Sequence, residues 1–91
     1  MGGFVMIEGQ RARLHQAIQS LSEHQLVVTP SRDGNGYVIK EGKTIIEVSV
    51  DSDEDSVIFL TFSWWNAFRW ISASRLICRV QEMIKSSLSQ H

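Results

Sequence analysis

Over residues 7–21 the apolar residues Ile7, Leu14, Ala17, Ile18 and Leu21 recur at helical spacing, and Arg11, Arg13, Gln16 and Gln19 fall largely between them. Spacings of three, four and seven put the apolar set on one stripe, so the segment predicts an amphipathic helix. Gly9 weakens its first turn and moves the expected start later, because glycine loses the most backbone freedom in a helix.

After Gln25 the period changes towards two. "LVVTPSR" is β-branched and is interrupted by Pro30, which has no N–H for a ladder, so an edge strand or a strand end is predicted. "DGNG", residues 33–36, tolerates positive φ and predicts a tight turn. "YVIKEG" is the returning strand and "EGK" a second turn. "KTIIEVSVD" then alternates, with Ile46, Val48 and Val50 on one face and Ile45, Glu47 and Ser49 on the other. The acidic run "DSDED" bounds it. "SVIFLTFSWW" is the last strand, with Ile58, Leu60, Phe62 and Trp64 on one face.

Asn66 suits the N-cap of a closing helix. At a hundred degrees per residue Trp70, Ala73, Ile77, Val80 and Ile84 form one stripe, with Arg69, Ser72, Arg75, Arg79, Glu82 and Ser86 opposite. Two amphipathic helices need a surface to bury against, and a short meander supplies one. The expectation is one two-layer α+β domain over residues 1–91. It has an N-terminal helix, an antiparallel meander of three or four strands, and a C-terminal helix packed on the same face. A chain of 91 residues is too short for a second core.

All three tryptophans and three of the four phenylalanines lie in "SVIFLTFSWWNAFRW", residues 56–70. The inward strand positions and the helix stripe absorb Phe62, Trp64 and Trp70. Phe59 and Trp65 have the opposite parity, together with Val57 and, on the neighbouring strand, Ile45. Phe68 lands on the polar side of the closing helix, near Arg75 and Arg79. Large apolar groups on an outward face mark a contact surface, which makes Ile45, Val57, Phe59, Trp65 and Phe68 candidate protein-binding residues. The alternative for Trp65 and Phe68 is that a twisted sheet end or a loop covers them.

Charge separates the partner classes. A formal net charge of -1 and a pI near 6.3 argue against general affinity for polyanions. The distribution is uneven. Asp51, Asp53, Glu54 and Asp55 form an acidic turn, while residues 66–91 carry Arg69, Arg75, Arg79 and Lys85 against Glu82. Arg69, Arg75 and Arg79 are candidate contacts to phosphate or to an acidic partner, which makes a nucleic-acid-associated protein the runner-up. Arginines on one helix face are more often simply solvated, so nucleic acid is not favoured.

Positive support for chemistry is lacking. Asp51, Asp53 and Asp55 have the spacing of the first carboxylates of an EF-hand loop, but Ser56 and Phe62 occupy the glycine and glutamate positions of that loop. Cys78, mid-helix and far from a helix N-terminus, reads as a boundary or buried thiol, and a lone cysteine fits a reducing compartment. His15, His24 and His91 are too scattered for a metal set. No phosphate loop, dinucleotide fingerprint or nucleophile elbow is present. The expectation is therefore a non-enzyme with no cofactor and no metal. The apolar runs fall well short of the ~20 residues that cross a bilayer, and "MGGFVMIEG" does not make a signal sequence. That predicts a cytoplasmic protein with no membrane partner.

Helix, strands, helix is an order that resembles double-stranded-RNA-binding domains, without the Lys-rich start of their second helix. A second resemblance covers most of the chain. The amphipathic first helix, the meander "DGNGYVIKEGKTIIEVSVD", an acidic turn, an aromatic strand and a closing helix resemble the YbjN-like and type III secretion chaperone-like group. That resemblance implies a small α+β protein, commonly homodimeric, that binds extended segments of other proteins. It carries no functional residue over to this sequence. The expected partner is a protein, with a second copy of the chain as well.

Overall fold

The computed structural model describes residues 3–52, 57–65 and 67–89, and the chain in it opens with a strand, β1 (Gly3–Ile7). A 3-10 turn, Glu8–Gln10, leads into helix α1 (Arg11–Ser20), which tightens into a second 3-10 turn, Leu21–His24. Gln25 then turns the chain with a left-handed φ of 65°. Strands β2 (Val27–Pro30), β3 (Gly36–Glu41), β4 (Thr44–Ser52) and β5 (Val57–Trp64) follow as a meander. A 3-10 turn, Ala67–Arg69, opens the closing helix α2 (Trp70–Ser89).

The sheet is fully antiparallel in the order β1-β5-β4-β3-β2. The two-layer α+β architecture is the expected one, and the meander has the four strands at the upper end of the expectation. The fifth strand, β1, returns the N-terminal segment to the far edge beside β5. Its sequence "GFVMI" is apolar at both parities and so carries no alternation. Ile7 also fits the helical stripe of α1, but it ends β1 instead and is exposed.

One parity of the strands faces both helices. Tyr37, Ile39, Ile46, Val48, Val50, Ile58, Leu60 and Phe62 are buried with Leu14, Ala17 and Ile18 of α1 and with Ala73, Leu76, Ile77, Val80 and Ile84 of α2. Packing of this kind contributes about 1.5–3 kcal/mol per fully buried large side chain. The inward parities of β4 and β5 are therefore as predicted, with Trp64 half-buried at the end of its row, and β3 adds Tyr37 and Ile39 to the same face. Trp70 corrects the predicted stripe. It is 56% exposed as the first residue of α2, directly after the 3-10 turn whose different period breaks the helical stripe, and Leu76 joins the buried set further along.

The β2–β3 connection is held locally. Gly34 takes a φ of 76°, and the Asp33 carboxylate accepts hydrogen bonds from Ser31 Oγ (2.7 Å) and from the backbone N–H of Asn35 (2.9 Å). These bonds hold the Asp33 carboxyl below its usual pKa, the Ser31 hydroxyl contributing most. Gly36 is required for a different reason. A Cβ there would stand 1.9 Å from the carbonyl oxygen of Val48, so β3 begins where only glycine fits.

Candidate protein-binding surface

Both described α-helices pack on the other parity of the strands, and the parity that faces away from them is bordered at one end by the β2–β3 turn. Register arranges its side chains in rows across the strands. Val5 of β1 pairs with Phe59 of β5, which pairs with Asp51 of β4. Ile7 pairs with Val57 one row towards the sheet end. On the other side of a polar band, Ile45 of β4 pairs with Lys40 of β3, and Lys40 with Val27 of β2. Trp65 follows Trp64, the partner of Ile46, and so continues the row of Ile45 and Lys40. The band between is mainly polar, with Thr61 opposite Ser49 and Ser63 opposite Glu47, whose other neighbour is Val38.

Two apolar corners result, at opposite ends of the strands. At one stand Val5, Ile7, Val57 and Phe59. Val5 and Ile7 are exposed, Phe59 is 39% exposed and Val57 half-buried. At the other, Trp65, Ile45 and Val38 line a shallow groove of about 450 Å³, whose rim carries Lys40, Glu47 and, in the β2–β3 turn, Arg32 and Asp33. The Trp65 indole is 67% exposed and its N–H donates to Glu47 Oε2 at 3.2 Å, which ties the ring to this face.

Of the residues singled out from sequence, Ile45, Val57, Phe59 and Trp65 share the open face, and Ile45 and Trp65 share one groove. No described loop covers Trp65 or Phe68. Phe68 is 98% exposed and lines a separate hollow with Arg69, Ile71 and Ser72, away from the sheet groove. Val5, Ile7 and Val38 escaped sequence reasoning. The alternation of "YVIKE" was a signal that could have found Val38, whereas β1 carried none.

The three arginines occupy different surroundings. Arg79 binds both carboxylate oxygens of Glu41 at 2.8 Å, an exposed pair that ties α2 to the end of β3. Arg69 is half-buried beside a cavity of about 70 Å³ that it lines with Lys43, Thr44, Ile45, Trp64, Trp65 and Ala73. Arg75 is exposed.

Among the described residues no three His, Cys, Asp or Glu side chains come together, and no buried side-chain polar atom lacks a hydrogen bond. Asp51 is exposed at the end of β4, whereas Asp53, Glu54, Asp55 and the expected cap Asn66 lie outside the described residues. Cys78 is exposed on α2 rather than buried. His15 is half-buried and its Nδ1 is hydrogen-bonded to the Tyr37 hydroxyl, joining α1 to β3. Burial raises the Tyr37 phenol above its usual pKa. No described helix is long and apolar enough to cross a membrane.

No known protein family, curated protein or solved structure matches this chain.

Proposed function

We propose that this chain is a small non-catalytic protein-binding module, adaptor- or chaperone-like, that works through the open face of its sheet and as a homodimer. One observation carries the reading. The face without a helical layer holds Phe59 and Trp65, each with apolar neighbours, whereas a sheet face meant for water alone would alternate to polar residues. Aromatic side chains in partly enclosed surroundings are the usual anchors of protein interfaces. The runner-up, contact with nucleic acid through α2, is weakened because Arg79 is already engaged by Glu41.

The test uses extended peptides carrying apolar and aromatic residues, titrated against the parent, Phe59→Ser and Trp65→Ser. Saturable binding is expected for the parent, with a loss of about tenfold or more in the variants at unchanged fold. Binding should change little with salt. A steep salt slope together with retention on nucleic acid favours the runner-up. Failure of every peptide, with no self-association either, overturns the reading.

A further inference from the structure

The occupant of the open face is specified by a match between two of its own rows. Reading from the β1 edge, one row runs Val5, Phe59, Asp51: apolar, apolar, acidic. The other runs in the same direction as Trp65, just past the end of β5 and lining one groove with Ile45, then Ile45, Lys40 and Val27: apolar, apolar, basic, with an apolar residue at the β2 edge. The rows lie at opposite ends of the strands and are offset by one strand.

We propose that a second copy of this chain docks on the open face, sheet against sheet, so that each Val5–Phe59–Asp51 row lies on the Trp65–Ile45–Lys40 row of the other copy. This rests on the protein-binding reading of the same face and assigns its partner. A twofold axis lying between the sheets and running across the strands makes both contacts at once, as an isologous dimer requires. Two Asp51–Lys40 pairs then cross the interface. With strands ~4.8 Å apart and ~6.8 Å per two residues, the one-strand offset turns the two sets of strands by roughly 25°, near the ~30° at which aligned sheets pack.

The polar band suits that closure. Thr61 and Ser49 of one copy come over Ser63 and Glu47 of the other, small groups whose hydroxyls are able to donate to the carboxylate. The five strands and the rows between them cover about 24 Å by 20 Å, a projected area on the order of 500 Å² before side-chain relief is added. That is at the small end for a specific interface, so a dimer of micromolar strength is expected.

Charge exchange decides it. Sedimentation velocity over a range of concentrations is run on the parent, Asp51→Lys, Lys40→Glu and the double variant. Both sites are exposed, so the fold should be spared, and circular dichroism and a thermal melt check this. The expected result is a parent dimer, a loss of about tenfold or more in each single variant from like charges brought together, and recovery in the double variant. A dimer indifferent to all three variants sits elsewhere, for instance edge to edge through β1, and overturns the proposal. A parent that stays monomeric also overturns it. Peptide titration, read separately, then shows whether protein binding by this face fails with it.

Discussion

The indole N–H of Trp65 donates to the Glu47 carboxylate at 3.2 Å, and this bond turns the largest side chain at the end of β5 onto the open face of the sheet. Both groups are accessible to water, so the bond adds little to stability and chiefly sets direction. Glu47→Ala should shift the Trp65 indole N–H resonance and speed its exchange with solvent. The change in stability should stay within about 0.5 kcal/mol, as at other exposed positions. An unmoved resonance would mean that the bond is not made in solution.

Leu60 is buried between the partners of the inward row, next to Ile58 and Phe62 on the same face. Leu60→Ala removes packing that the helices cannot recover by collapse, and should cost about 2–5 kcal/mol in denaturant unfolding. A variant with an unchanged midpoint would contradict the parity assigned to β5.

Gly36→Ala should also be clearly damaging although it adds only one methyl group. The new Cβ meets the backbone carbonyl of Val48, and backbone on a paired strand has no rotamer by which to retreat. Strain of this kind costs on the order of 1–3 kcal/mol or more. The loss should appear as a lowered midpoint and as faster amide exchange at the starts of β3 and β4. Wild-type stability in this variant would show that the two strands lie further apart than described.

Tyr37 gives the protein a pH dependence at the alkaline end. Burial raises its folded-state pKa above 10.0, so the folded chain holds the phenolic proton more tightly than the unfolded chain does. Stability contributed in this way is intact below the unfolded value, and it falls as the pH rises from there through the folded value. The sequence has a single tyrosine, so an ultraviolet titration of tyrosinate reads this group alone. A midpoint at or below the ordinary value in the folded protein would refute the raised pKa. Tyr37→Phe should flatten the alkaline loss while removing the bond to His15.

Local pattern was enough for most of the architecture. The alternation in "KTIIEVSVD" placed Ile46, Val48 and Val50 inward, because side chains on a strand change face at every residue. Pro30 ended β2 on an edge because it has no N–H to give. The 3.6-residue period of α2 located Ala73, Ile77, Val80 and Ile84. Each of these properties belongs to a short stretch of chain and its own geometry.

Other features depended on what a segment meets in space. "GFVMI" became a strand through its pairing with β5, whose partner residues lie 50 or more positions away in the chain. Trp70 had the angle for burial and stayed exposed at the first position of α2, after a 3-10 turn that the helical period does not foresee. The sequence by itself determined which residues share a face. Tertiary structure alone decided that β1 takes the edge beside β5 and which rows end up side by side, because those depend on long-range contacts that no local period encodes.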